Sequence, residues 1–447
     1  MSLLDRLGLG RPDLRAWAMY DWANSAMVTT ITAAVFPIYF VRVAGAGMTG
    51  PEATQSYGTS TTIGLTIIAV LAPLLGTLAD YVPIKKRLLG TFMAIGVVAV
   101  ALMYFIQHGD IVLASALFIL ANIGVNGSFV FYEALLPHIA ATDEMDRVST
   151  AAYALGYIGG GLLLAIQLAW IMWPGAFGLP SGENLSPSQA TLPTRLAFLS
   201  VALWWIVFSI PLFRQVPEPP VKTATRTQPR ENPLRVAFIR LGETFRDLRG
   251  YKPAFLMLIA FLIYNDGIGT IIRMATAYGT EIGIGETSLI AAIMLVQFVG
   301  VPFSFLFGML AGRIGTKPAI YVGLAAYLGI SFLGYRMQNA TDFLWLACLV
   351  GIVQGGTQAL SRSLFASMIP KERSGEFFGF WGVFEKFAGI IGPLVFTLTI
   401  AASGSSRNAI LSVAVFFLVG GAILWFVDVE EGRRSIRRAE AASPVKP

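Results

Sequence analysis

Charge is scarce in this chain of 447 residues: 13% are Asp, Glu, Lys or Arg, whereas 55% are hydrophobic. Soluble domains carry about a quarter charged residues, so a string of soluble domains is excluded, and a disordered chain with it. Cysteine occurs once, at Cys348, and histidine twice, at His108 and His138. A single cysteine cannot form an intrachain disulfide, and two histidines cannot build a His-rich metal site; neither a metal nor a cofactor is expected. The motifs G-x-x-x-x-G-K-[ST], H-E-x-x-H and G-x-S-x-G are also missing, which removes a built-in ATP motor and the common hydrolase sites. No enzyme is expected. The run Gly159, Gly160 and Gly161 lies inside an apolar segment, where it serves helix packing rather than phosphate binding.

What the chain has instead is long apolar runs. A membrane helix needs about 20 apolar residues. Runs of that length centre near Val28, Ile68, Val98, Ile119, Leu162, Trp204, Ile263, Val296, Ala326, Val350, Ile390 and Phe416. The pattern predicts an all-α membrane protein with twelve transmembrane helices. The first run holds Asp21, Trp22 and Asn24 and outlasts the apolar core of a signal peptide, so it is expected to remain in the mature protein.

Of the 32 Lys and Arg residues, 25 fall on the side that carries both termini. Arg42, Arg195, Arg336 and Arg407 fall on the other, and Arg273, Arg362 and Lys386 lie within spans. Because basic loops resist translocation, both termini are expected in the cytoplasm. The formal charge of +6 then follows from topology and anionic lipid, with no nucleic acid partner. Residues 214–252 form the longest polar stretch and open with Pro217, Pro219 and Pro220, as a linker does. Within it Leu234, Phe238, Leu241, Phe245 and Leu248 recur at helical spacing, predicting a helix that lies in the headgroup layer. The expected organisation is a six-helix bundle at 1–213, the linker, a second six-helix bundle at 253–428 and a tail at 429–447.

The halves repeat. Shifting the second back by 232 positions aligns Gly76 with Gly308, Ala79 with Ala311, Lys85 with Lys317, Asn122 with Gln354 and Asn126 with Gln358. A parallel repeat places a solute site near the bilayer midplane, between the halves. The loop G-T-L-A-D-Y-V-P-I-K-K at 76–86, echoed by G-M-L-A-G-R-I-G-T-K at 308–317, resembles the loop signature of major facilitator transporters. The resemblance implies that Asp80 latches one half to the other through a helix N-terminus and nearby basic residues. Pro83 and Ile84 replace the usual Gly and Arg, and Gly312 stands where the acid would repeat, leaving the second latch without its acid. The segments Y-D-W-A-N-S-A at 20–26, F-P-I-Y-F at 36–40, A-L-G-Y-I-G-G at 154–160 and G-G-T-Q-A-L-S-R-S-L-F-A at 355–366 resemble the vacuole-effluxer-like branch. That branch has fungal members associated with autophagy and with returning amino acids from the vacuole, and bacterial relatives.

A charge at mid-span costs about 2.5–3.5 kcal/mol on insertion scales, so ionisable residues inside spans are functional candidates. Asp266 stands near the middle of span seven, with Tyr264 and Asn265 beside it and Gly267 and Gly269 after it; this pattern predicts a locally broken helix whose freed backbone binds solute. Arg273 lies two turns further on. Span four carries Asn122, Asn126 and Glu133 on one face, and its repeat mate, span ten, carries Gln354, Gln358, Ser361 and Arg362. An amide unpaired in hydrocarbon costs several kcal/mol, so these stripes are expected to line a cavity. The expected substrate-binding set is Asn24, Asn122, Asn126, Tyr264, Asn265, Asp266, Arg273, Gln354 and Gln358. The expected coupling or gating set is Asp21, Asp80, Glu133, Arg362, Glu385 and Lys386, with Glu385 or Lys386 meeting Asp266 or Arg273 across the bundle. Together these readings predict a monomeric secondary transporter of the major facilitator fold, in a bacterial cell membrane. Its solute would be an amino acid or similar zwitterion, with protons a candidate coupling ion. Export of sugars, peptides or amphipathic compounds, and a non-transporting receptor or scaffold, are the other readings.

Overall fold

The computed structural model is helical throughout its described residues, which are 3–48, 50–182, 184–220, 246, 250–281, 284, 286–387, 391–403 and 406–442. The first half consists of α1 (Pro12–Ala44), α2 (Gly50–Tyr81), α3 (Lys85–Leu102), α4 (Ile111–Ile139), α5 (Met145–Met172) and α6 (Leu192–Gln215). The second consists of α7 (Lys252–Glu281), α8 (Glu286–Ile314), α9 (Thr316–Arg336) and α10 (Ala340–Ala366). It continues with α11, in two pieces, Ser374–Phe387 and Ile391–Ser403, then α12 (Arg407–Trp425) and a terminal α13 (Val429–Ala442). Eleven of the described helices are long and apolar enough to cross a membrane. The two described stretches of α11 account for the twelfth span. The amphipathic helix expected at 234–249 lies outside the described residues.

Helix ends follow local chemistry. Pro12 and Pro193 occupy first-turn positions, where a missing N–H is harmless. Asn339 caps α10 by accepting the Asp342 N–H at 3.0 Å. The repeat shows in how each half ends its sixth helix. Lys86 Nζ donates to the Phe213 and Val216 carbonyls, at 3.0 and 2.5 Å, and Lys317 Nζ donates to those of Trp425 and Val427, both at 2.8 Å. A cation suits the negative end of a helix. Lys317, which the sequence aligns with Lys85, therefore does the work of Lys86.

Lipid-facing surfaces carry exposed Val98, Leu203, Phe298, Trp345 and Leu418, while small residues mark the crossings inside. A Cβ on Gly160 would stand 2.6 Å from the Thr29 hydroxyl and 3.0 Å from the Ser25 carbonyl, so α1 and α5 need this glycine, as the packing reading requires. The broken helix expected at 264–269 is absent: α7 is continuous, and Gly267 admits the rings of α12, a built Cβ meeting Phe417 at 3.0 Å. The irregular helix is α1, which widens to π-turns over Val28–Ala34 and Phe40–Ala44. Pro37 has no N–H to bond to the carbonyl one turn back, which disturbs the α-register beside it.

Between α3 and α4, a Cβ on Gly124 would collide with the Gly96 backbone. Gly124→Val is expected to destabilise the fold by about 1–3 kcal/mol, the usual cost of overpacking, seen as a lower melting temperature in detergent.

Candidate functional site

A cavity of about 1780 Å³ separates the halves. It opens beside exposed Arg42 and Ala190, at the end remote from the termini, and closes toward the end where α1 begins. Of the expected residues, Asp21, Asn24, Asn122, Asn126, Glu133, Asn265, Gln354, Gln358, Arg362 and Glu385 line it. The polar stripes of α4 and α10 thus turn inward from opposite halves.

The floor is built around Arg362 of α10. Its side chain is 2% exposed and reaches into the first half, where Nη1 lies 3.5 Å from Asp21 Oδ2. Nε donates to Ser149 Oγ at 2.9 Å and Nη2 to the Ser149 carbonyl at 3.1 Å. The rings of Tyr153, Trp17 and Tyr132 surround the guanidinium at 4.6, 5.1 and 5.8 Å. Planar cations stack well on such faces. The cage is itself braced, since Tyr132 donates its hydroxyl to Asp21 at 3.0 Å and Trp17 its indole N–H to the Tyr132 carbonyl at 2.9 Å. Asp21 lies nine residues into α1, which starts at Pro12.

Two further contacts close the same end. Asp80, one turn beyond the apolar stretch Thr59–Gly76, accepts the N–H groups of Gly375 at 3.0 Å and Glu376 at 2.8 Å and pairs with Lys85. This puts the Asp80 carboxylate at the positive end of α11, across the boundary between the halves. At the repeat position Gly312 offers no side chain, but Asp146 of α5 accepts the Thr316 hydroxyl at 2.6 Å and that of Ser363 as well. The second closing acid therefore sits on the first half too. Higher in the cavity, Gln297 Nε2 donates to Thr29 Oγ1 at 2.9 Å, joining α8 to the π-turn of α1.

Other expected residues are placed differently. Asp266 does not line the cavity: it is 1% exposed, and Oδ2 accepts the Gly392 N–H of α11 at 2.7 Å. Tyr264 is fully buried with its hydroxyl 2.5 Å from that of Ser361, so it packs α7 against α10 instead of facing the cavity. The side chains of Arg273 and Lys386 lie outside the described ones, and the expected pairing of Glu385 or Lys386 with Asp266 or Arg273 is not among the described contacts. Trp17, Tyr132, Ser149, Tyr153, Asp146 and Gln297 were not picked out from the sequence. Trp17, four residues before Asp21 on the same helical face, was the signal that could have pointed to the cage.

The fold and the cavity define a multi-pass membrane transporter of the major facilitator type. The architecture is similar to the proton:xylose symporter XylE bound to 6-bromo-6-deoxy-D-glucose, with a TM-score of 0.68 at 13% identity over 93% of this chain and 95% of that one. It is similar also to FucP in the outward conformation, with a TM-score of 0.66 at 12% identity over 94% and 99%. In sequence, the MFS-type transporter YxiO of Bacillus subtilis (strain 168) is 38% identical over 93% of this chain and 94% of its own length. The model of the family described as "Vacuole effluxer Atg22 like" matches residues 52–437. The chain belongs to that family, and by family and fold it is a secondary transporter.

Burial pushes the Asp80 carboxyl up to about 6, with Lys85 opposing and Glu376 adding to the shift. A raised value means the closed latch holds the proton more tightly than an open one. The closed state's gain is full below the ordinary carboxylate value and is lost as pH rises through about 6. Closure of this end should therefore weaken between about pH 4 and 6 in the wild type and not in Asp80→Asn, as read by modification of a cysteine placed beneath the latch.

Proposed function

We propose that this chain moves a small polar solute, an amino acid or similar zwitterion, by alternating access across a bacterial cell membrane. The observation that supports this reading is the hollow between the repeated halves, into which amides of α4 and α10 and the charges of Asp21, Glu133, Glu385 and Arg362 all turn. Amides both donate and accept, and groups of both signs near one floor suit a solute that carries both. With the cavity open at the end remote from the termini, Arg362 with Asp21, Asp80 with the α11 N-terminus and Asp146 with α9 and α10 form the gate that must part in the other half of the cycle. The asymmetry of basic loops supports cytoplasmic termini, so the open end faces outward. One chain completes the cavity, which supports a monomeric transport unit. Asp21, Glu133 and Glu385 are the candidate proton carriers, because a carboxyl in a cavity can trade a proton as it is buried and exposed.

Hydroxyl and amide lining would also hold a sugar, and XylE, of like fold, is a xylose symporter. Flux into proteoliposomes separates these readings. Uptake of an amino acid that competes with other amino acids and not with sugars is the expected result, and the reverse pattern overturns the zwitterion reading. Arg362→Gln should lower uptake at least tenfold, since it leaves a buried Asp21 without its cation. An imposed pH gradient should change wild-type uptake; indifference to it removes proton coupling.

A further inference from the structure

Which cavity groups are already engaged decides what a solute has to offer. Asn122 Nδ2 donates to the Phe118 carbonyl at 2.9 Å and Asn126 Nδ2 to the Asn122 carbonyl at 2.8 Å. A backbone carbonyl only accepts, so these bonds fix each amide's orientation and leave the Oδ1 atoms as acceptors toward the cavity both residues line. In the second half, Gln358 Nε2 is engaged with Asn265 Oδ1 at 3.2 Å, and Gln297 Nε2 with Thr29. Asn24 is the opposite case. It lines the cavity and is 1% exposed, and its Nδ2 faces the Asp21 carboxylate one turn below without completing a well-formed hydrogen bond to any described residue, so an N–H is left to offer. A buried N–H without an acceptor is costly, and an oxygen supplied from the cavity would remove that cost.

The heights of these groups can be counted from the floor. α1 and α4 run antiparallel and are pinned together where Tyr132 meets Asp21. Asn24 is three residues above that point on α1 and Asn126 six residues above it on α4. At 1.5 Å per residue the two stand about 4.5 and 9 Å up, a stagger of about 4.5 Å. That stagger suits a solute whose acceptor and donor groups are separated by one or two atoms.

We propose that the first half binds both polar ends of the solute: Asn24 Nδ2 donates to its carboxylate, and Asn126 Oδ1 accepts from its ammonium. The inference rests on the zwitterion reading and adds the direction in which the solute lies. Its test uses valine with two one-ended analogues, isobutylamine, which lacks the carboxylate, and isovalerate, which lacks the ammonium. Binding of each is measured to the full-length wild type, Asn24→Ala and Asn126→Ala, with the serine variants at both positions standing in for any alanine variant that fails to fold. Asn24→Ala should weaken valine and isovalerate about tenfold and leave isobutylamine unchanged. Asn126→Ala should weaken valine and isobutylamine by a like factor and leave isovalerate unchanged. Equal weakening of all three ligands, or no weakening of valine, overturns the assigned direction. Failure of the wild type to bind valine overturns the zwitterion reading and this inference with it.

Discussion

A guanidinium buried in hydrocarbon is intolerable unless it is paired and enclosed, and Arg362 meets that demand only when the two halves are together. Its counter-charge Asp21, its hydrogen-bond partner Ser149 and the three rings around it all belong to the other half. Breaking a buried pair from one side costs about 3–5 kcal/mol. The closed floor is therefore held by interactions that are lost together when the halves part, unless water or solute enters to replace them. In the alternating-access cycle we propose, that coupling makes the ion pair a gate, because the contact that seals one end is also what a penetrating solvent front has to disrupt.

The duplicated architecture makes the gate's asymmetry visible. Gly76 and Gly308 occupy matching crossings, one against the backbone of Gly375 and the other against Thr150. The first crossing is secured by Asp80 at a helix N-terminus, the second by Asp146 on hydroxyls of α9 and α10. In both places the acid belongs to the first half. The repeat thus keeps a glycine at each tight crossing while the contacts around it have diverged, and Lys317 taking the part of Lys86 is a second case of the same divergence.

Apolar length and the 232-position repeat made the spans, the two bundles and the inward amide stripes legible, since a bilayer punishes any other arrangement of Asn122, Asn126, Gln354 and Gln358. The place of Asp80, against the N-terminus of α11, was legible through its loop signature. What was hidden depended on partners far apart in sequence. Asp266 has the look of a cavity residue, being an acid at mid-span, but its burial is satisfied by the backbone of α11, which no pattern within α7 could announce. Glycines at 267 and 269 could equally break a helix or admit a neighbour; α7 runs through both, the rings of α12 approach Gly267, and Gly269 lines the cavity. The cage around Arg362 escaped because three separate helices, α1, α4 and α5, supply it. The π-turns of α1 escaped because Pro37 kinks or widens a helix according to what is packed beside it.

The central claim is that the halves are held together at the end bearing the termini by the Arg362 cage and swing apart there when it is undone. Spin labels on exposed Arg87 of the first half and Arg313 of the second, in a chain whose single cysteine is replaced by alanine, report the separation directly by double electron–electron resonance. Arg362→Gln should move the distance distribution to larger values while labels flanking the opposite mouth draw closer. A distribution that is unchanged by the substitution, at both ends, would contradict the account.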